Sequence, residues 1–448
     1  MKHTKEFALS VVAAAMRKGA SAAEVMIAQS TEFSTSVRLE QIETIKESLS
    51  QDLGLRVIWE GRQAAVSTSD FSLTAVTQLV DDAVELARAT SVDEQLSLPD
   101  REDFAASYPD LQLYDPASTE LPTETKIELA LRAEAAARAA DARIVNYDGG
   151  GFSSATRALI LANSLGFAGD YEGTVCSLSS APVAEEDGKM QRDYWFDCKR
   201  AFKDLESAES IGQRAAARTL RKLGGRKVKT QQVPVVFDPL VAATLLGDLL
   251  QAVSGDTIVR KASFLVGKLA EKIGCELLTI IDDGRLPGAL GSRPFDSEGV
   301  PTRRTVVVER GELKSYLLNT YTARKLALKS TGNAMRSPSG TPSISCTNLF
   351  IPPGDATPEE IISSVKNGFY VTDLIGFGVN IVTGDYSRGA AGLWIENGEL
   401  TYPVEEVTIA SNLKDMFKQI EMVGNDLEFR SRIAAPTIKI ERMTVSGE

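Results

Sequence analysis

From Ala23 to Ser69 the chain reads as extended strand almost without a break, with a helical pattern on either side. This limits the opening unit to a meandering, mainly antiparallel sheet with a helix at each end. Ala23–Ser30, Thr31–Leu39, Ile42–Ser50, Leu53–Trp59 and Ala64–Ser69 carry the strand pattern, and Val25, Ile27 and Val37 supply β-branched side chains. Glu60-Gly61-Arg62 supplies a short hairpin turn. The first helix places Phe7, Val11, Val12, Ala15 and Met16 on one face, with Gly19 as its stop. The second runs from about Leu73 to Ala89, capped by Ser72, with Val76, Leu79, Val80, Ala83 and Leu86 turned inward.

Residues 90–122 are acidic, weakly periodic and punctuated by Pro99, Pro109, Pro116 and Pro122, the composition of a linker or surface excursion. A second unit opens with an alanine-rich helix near Glu124–Ala140. It continues through strands at Ile144–Tyr147, Ser154–Leu161, Phe167–Ser180 and Met190–Phe196, with Glu185-Glu186-Asp187-Gly188 as a hairpin loop. Its closing helix, Ser207–Leu223, carries Arg214, Arg218, Arg221 and Lys222 towards its end. Cations there complement the helix dipole, a simpler account of the basic run than a phosphate site. The third unit opens on the buried strand Val233–Phe237. Asp238-Pro239 follows, an N-cap and first-turn proline, and the chain then becomes rich in glycine and β-branched residues. Two stretches, VVVERGELKSY (306–316) and LWIENGELTYP (393–403), share a hairpin pattern. The predicted fold is α+β, an N-terminal α/β region in two parts followed by a β-rich C-terminal domain with a few helices. Its boundaries fall at 1–95, a linker 96–122, 123–228 and 229–448.

The chemistry open to this chain is narrow. Its one histidine, His3, lies in the fraying start of the first helix. A Ser-His-Asp or Cys-His triad and a two-histidine zinc site are therefore excluded. No SxxK with supporting context offers a histidine-free nucleophile. Cys176, Cys198, Cys275 and Cys346 are dispersed and form no CxxC pair, which suits a reducing cytosol; Cys176 and Cys198 read as small core residues. With 49 Lys and Arg against 61 Asp and Glu, the net charge is −12, which disfavours nucleic acid as a ligand. The N-terminal apolar stretch is interrupted by Ser10 and followed by Arg17-Lys18, unlike a signal peptide. No other apolar run is long enough to span a membrane. The expected location is cytoplasmic.

Four ordered stretches carry a resemblance. They are IDDGRLPGALGSRPFDSEGVPT (281–302), SCTNLFIPPGDATPEEII (345–362), NGFYVTDLIGFGVNIVTGDYSRGAAGLWIENGEL from Asn367, and QIEMVGNDLEF near the end. Together they resemble the TldD/PmbA family, also called modulators of DNA gyrase, over most of 233–430. The resemblance implies a two-subunit zinc peptidase. Its TldD-like subunit carries an HExxxH helix and a later cysteine ligand. Its PmbA-like or TldE-like subunit shares the fold without the ligands, and the two enclose a chamber in which unfolded proteins or peptides are cut.

In this chain the corresponding helix is DPLVAATLLGDLLQAVSGD (238–256). Matching its closing Gly255-Asp256 places Leu246 and Gln251 at the histidine positions and Gly247 at the glutamate. None of the three is a good zinc ligand or a general base, and no cysteine follows Cys346. Leu246, Leu249, Leu250 and Val253 make an apolar stripe that predicts core packing. Asp282-Asp283-Gly284 reads as a strand-ending turn more readily than as a Mg²⁺ site. No catalytic or metal residue is expected in this chain, and zinc belongs to the TldD-like partner. Gly378, Asn380, Thr383, Gly384, Asp385 and Arg388 are the candidate substrate or subunit contacts: the glycines admit a close backbone or else mark bulges and tight bends, Arg388 suits a carboxylate or carbonyl, and contact is preferred because the resemblance is densest here. The expected role is a non-catalytic subunit paired with a TldD-like partner. The alternative is a self-sufficient homodimer that binds peptides or small ligands without activity.

Overall fold

The computed structural model describes residues 4–447, so His3 lies outside the described residues. The first unit comprises α1 (Lys5–Arg17), β1 (Ala22–Arg38), β2 (Gln41–Trp59), β3 (Arg62–Thr68) and α2 (Leu73–Ala89). Thr4 and Ser72 cap the two helices through their side chains. On α1 the buried face is Ala8, Val11, Val12 and Ala15, while Met16 is exposed. On α2, Val84 and Ala87 join the predicted residues and Leu86 is 48% exposed, because the buried stripe drifts around the helix at 3.6 residues per turn.

Where the sequence suggests four extended pieces, β1 and β2 are two long strands paired from Ala22↔Ile58 to Arg38↔Gln41. The hydrophobic pattern fades at Gln29-Ser30 and Ser50-Gln51 because polar residues there oppose one another across the ladder; the backbone continues. The hairpin closes on Leu39 and Glu40, both left-handed without a glycine, with φ of 49° and 62°. The helix Thr123–Ala140 holds this strained turn: Glu134 accepts from Glu40 N at 2.7 Å, and Arg138 pairs with the Glu40 carboxylate.

The middle unit comprises α3 (Pro116–Thr119), α4 (Thr123–Ala140), β4 (Ile144–Tyr147), β5 (Gly151–Asn163), β6 (Ala168–Ser180), β7 (Pro182–Glu186), β8 (Lys189–Arg192), β9 (Trp195–Lys199) and α5 (Ala208–Leu220). The stretch read as one strand, Met190–Phe196, is two. Asp193 and Tyr194 break it, and the halves join different sheets, β8 beside β7 and β9 beside β6. The first and middle units share one six-stranded antiparallel sheet, β3-β2-β1-β5-β6-β9.

The C-terminal region begins with β10 (Gln231–Phe237), α6 (Pro239–Val253) and α7 (Gly255–Val259). It continues through β11 (Ile280–Asp283), β12 (Arg304–Glu309), β13 (Glu312–Leu313), α8 (Thr320–Lys325), β14 (Ala334–Met335), β15 (Ser343–Ile344), β16 (Leu349–Phe350) and α9 (Pro358–Ser363). It ends with β17 (Asn367–Ile375), β18 (Asp385–Glu396), β19 (Glu399–Asn412), α10 (Leu413–Lys418), β20 (Ile420–Val423), β21 (Ile433–Ala434) and β22 (Ile438–Ser446). Strands β10-β17-β18-β19-β22 close into a ring through the β10–β22 pairing, and β13-β12-β11-β16-β21 form a second sheet. Both matched hairpin stretches turn on two residues with positive φ, Arg310-Gly311 and Asn397-Gly398. The fold is therefore α+β with a β-rich C-terminal region.

Around Ala23–Ile27 and Leu53–Ile58 the shared sheet is buried on both faces. Ala23, Val25, Ile27, Leu53, Leu55 and Val57 pack on α1 and α2. Residues of opposite parity meet the C-terminal region: Met26 and Leu161 contact Phe295, whose ring also lies edge-on to Phe167 and Tyr171 at 5.1 and 5.3 Å. Two glycines permit that approach. A Cβ on Gly54 would collide with the Pro338 carbonyl, and one on Gly169 with the Phe295 ring. Glu24 and Arg56 lie on the same face, at most 2% exposed, beside Glu298 and Arg336. Arg336 Nη2 stands 3.0 Å from Glu24, and Arg56 bridges Glu24 and Glu298 at 3.9 and 3.8 Å. The acidic connector becomes a strap across this joint. Leu98, Leu111 and Leu113 are buried, Leu111 O accepts from Gly288 N, and Asp93 pairs with Lys325 at 2.9 Å.

Two carboxylates against two guanidinium groups make this buried set balanced, and removing one member leaves charge without compensation. Arg56→Met is expected to cost about 3–5 kcal/mol of stability, read as a lower urea midpoint; a change below about 1 kcal/mol would contradict the assignment.

Candidate functional site

Helix α6 forms where the sequence places it. Asp238 accepts from Leu240 N, Pro239 occupies the first turn, and Leu245, Leu246, Leu249 and Val253 pack into the largest core, between the strand ring and the second sheet. The three positions matched to the motif part company in space. Leu246 is fully buried among aliphatic side chains, Gln251 is exposed, and Gly247 looks onto open space, with no atom of the described residues beyond its own helix turn within 4 Å of where a Cβ would stand. These side chains offer a zinc ion no imidazole, thiolate or carboxylate. Among the described residues no three His, Cys, Asp or Glu side chains gather as a metal-binding set.

The chemistry that α6 does carry is Asp248, the one charged side chain in the helix. Burial raises its carboxyl to about 6, against the opposing pull of Arg388 on β18, and its Oδ2 has no hydrogen-bond partner. Tyr386, also on β18, is buried nearby, and burial raises its hydroxyl well above the ordinary value. Asp248, Tyr386 and Arg388 form a polar seam between α6 and the strand ring. A carboxyl poised near 6 gives or takes a proton close to neutral pH. Sequence reading missed it, although a single acid among apolar neighbours is a signal for a perturbed group.

The six candidate contact residues divide into two groups. Arg388 points its charge to Asp248 in the seam. The others shape the loop joining β17 to β18. Asn380 Oδ1 accepts from Val382 N and Thr383 N, at 2.9 and 3.3 Å. Thr383 donates to Asp385 at 2.6 Å, and Asn412 donates to Asp385 at 3.0 Å. Gly384 has φ of 88°, and a Cβ on Gly378 would run into the Ser387 carbonyl. Their polar groups are spent on one another, so the loop holds its shape and presents apolar side chains: Ile375, Phe377 and Val382 are all more than half exposed.

The basic run is satisfied by carboxylates. Arg218 reaches Asp238 at 3.2 Å and Asp193 at 3.4 Å, Lys222 reaches Asp193 at 3.2 Å, and Arg214 pairs with Glu206. This run therefore locks α5 to the start of α6. Asp282 and Asp283 are buried in β11, where Asn333 and Thr347 N donate to Asp282, each at 2.7 Å.

Glycine inside a helix with open space above it carries backbone entropy without a packing return. Gly247→Ala is expected to raise stability by about 0.5–1 kcal/mol, measured by denaturant titration. The raised Asp248 carboxyl binds its proton more tightly in the folded state than in the unfolded chain. Its contribution is thus fully present below about pH 4 and is lost as pH rises towards 6. Asp248→Asn should flatten that part of the stability profile; an unchanged slope between pH 4 and 6 would show that Asp248 titrates normally.

Three family models match in succession: PmbA/TldA metallopeptidase domain 1 over residues 23–87, the central domain over 116–223 and the C-terminal domain over 230–447. The metalloprotease PmbA of Escherichia coli O157:H7 is 41% identical over 426 residues, covering 95% of this chain and 92% of that protein. Among solved structures, a Bacteroides thetaiotaomicron protein described as a modulator of DNA gyrase superposes with a TM-score of 0.93 at 30% identity, covering both chains fully. TldE from Thermococcus kodakarensis superposes with a TM-score of 0.90 at 25% identity, covering 98% of this chain and all of that one.

Proposed function

The chain belongs to the PmbA/TldD family of metallopeptidases, and on that premise we propose that it is the non-catalytic, TldE-like subunit of a two-subunit zinc peptidase. A TldD-like partner holds the zinc and the HExxxH helix. This chain completes the chamber, shapes access for unfolded proteins and peptides, and works in the cytosol. One observation carries the reading: the motif helix is intact as a helix, while Leu246 is sealed into the core and Gly247 and Gln251 offer no ligand. Buried aliphatic side chains bind no metal, so the helix serves as scaffold.

Two surface features suit a partner of similar fold. Strand β2 pairs with β3 only from Leu53 onward, so its outer edge from Gln41 to Asp52 has no partner strand among the described residues. Ile42, Ile45 and Leu49 on that edge strand are 48, 49 and 68% exposed, whereas a lone chain would blunt such an edge. The loop bearing Phe377 is the second feature.

The test is native mass spectrometry of the tagged chain recovered from its own cells. A one-to-one complex with a zinc-bearing, HExxxH-containing protein is expected. Stoichiometric zinc on the isolated chain, with chelator-sensitive peptide cleavage, would overturn the reading. A metal-free homodimer alone would instead favour a binding protein. Introducing Ile45→Lys and Leu49→Lys together should weaken the complex at least tenfold while leaving the circular dichroism of the isolated chain unchanged.

A further inference from the structure

The face of the shared sheet that meets the C-terminal region does not close completely. Beyond the Phe295 contact a cavity of about 480 Å³ remains between β1, β5 and β6 on one side and residues 290–293, 335, 346 and 432 on the other. That volume lies in the ordinary range for small-molecule sites, ~300–1,000 Å³. Its charge is unusual for a chain with net charge −12. Four arginines, Arg157, Arg200, Arg293 and Arg432, line it against a single acid, Asp52.

Three of the four have no carboxylate within ion-pairing distance among the described residues; only Arg157 is paired, with Glu32 at 3.3 Å. Arg200 spends its donors on carbonyl oxygens, those of Thr174 at 3.1 Å and Leu290 at 2.7 Å among them, and keeps its charge uncompensated. Arg293 is 7% exposed. It donates only at long range, to Met335 Sδ at 3.7 Å and Ala334 O at 3.5 Å, and its Nε has no partner. Asp282 and Asp296 feel the Arg293 charge, but their own hydrogen bonds go to Asn333 and Thr347 and to the amides of Glu298, Val300 and Ala334. Arg200 and Arg293 also both act on the Tyr171 hydroxyl, which places two guanidinium charges beside one ring. Cys346 lines the same space, but burial pushes its thiol up to about 12, so it remains neutral.

Arg200 and Arg293 are desolvated and have no ion-paired carboxylate among the described residues, which is costly, and an oxyanion placed beside them recovers part of that cost. We propose that this cavity is a binding site for a small organic anion, its carboxylate or phosphate oxygens held by Arg293 and Arg432 in the field of the Arg200 charge and its apolar part resting on Leu113, Leu159 and Met335. The site is separate from the α6 seam. Strand β1 is hydrogen-bonded on both sides here, to β2 and β5, so the ligand enters as a compact molecule and not as an added strand.

The experiment is isothermal titration of the full chain at low ionic strength with three probes: acetyl-Ala-Leu with a free carboxylate, the same dipeptide as its C-terminal amide, and phenyl phosphate. One of the two anions is expected to bind saturably and the amide at least tenfold more weakly, with affinity falling as salt is added. Which anion binds more tightly identifies the carboxylate or the phosphate as the natural group. Arg432 is exposed, so Arg432→Gln should fold normally and lose at least tenfold in affinity for the preferred anion. Arg157→Gln, at the outer wall, gives a second folded variant in which a smaller loss is expected. Equal binding of amide and carboxylate with no phosphate binding, no binding of either anion up to millimolar concentration, or full affinity in Arg432→Gln would each overturn the proposal.

Discussion

The molecule depends on a sheet whose central part is buried from both sides. Helices α1, α2, α4 and α5 cover one face, and the C-terminal region presses a proline, a phenylalanine and a pair of charged side chains onto the other. Strand β1 accordingly has five consecutive buried residues where a half-exposed strand would alternate. One of the five is Glu24. Arg56 from the neighbouring strand and Arg336 from the far region lie beside its carboxyl group, and Glu298 lies on the other side of Arg56. A buried ion set of this kind adds little net stability over an apolar contact, but it penalises any other docking of the two halves. It specifies the joint more than it strengthens it.

The other joint follows the same physics. Asp238 caps α6, accepts from Tyr370, and meets Arg218 from α5, so the motif helix is positioned by a carboxylate that also ties the middle unit to the C-terminal region. Trp195 lies against three guanidinium groups, those of Arg214, Arg218 and Arg430, which fixes the same boundary through cation–π contact. Helix α6 is thus held at its start by Asp238 and packed along its apolar stripe of Leu245, Leu246, Leu249 and Val253. Along the rest of the helix the polar contact is the seam of Asp248 with Arg388 and Tyr386.

Much of the fold was legible in local sequence. Ser72, Asp238-Pro239 and Ser207 mark helix starts that the structure reproduces, and the ERGEL and ENGEL stretches turn where their glycines require. These signals act over a few residues and need no distant partner. The misreadings share one cause. The split of β1 and β2 into four pieces, the undivided Met190–Phe196 and the inward placement of Leu86 all treat hydrophobic pattern as a proxy for backbone pairing, and the two diverge wherever a strand passes from one environment to another. The candidate loop was found through its glycines. Its exposed apolar side chains, Phe377 above all, and the titratable Asp248 were passed over because their meaning lies in what surrounds them.

The sequence by itself determined the family, the helix and turn boundaries, and the residue types at the motif positions, because each is written in contiguous residues whose side chains and backbone preferences act locally. Only the tertiary structure decided which charges are compensated and which are not. Arg218, Arg293 and Arg432 are alike as letters; Asp238 neutralises the first, and the other two face a cavity without a carboxylate partner. That difference arises from segments far apart in the chain that meet across the two faces of one sheet, and no local pattern encodes the distance between them.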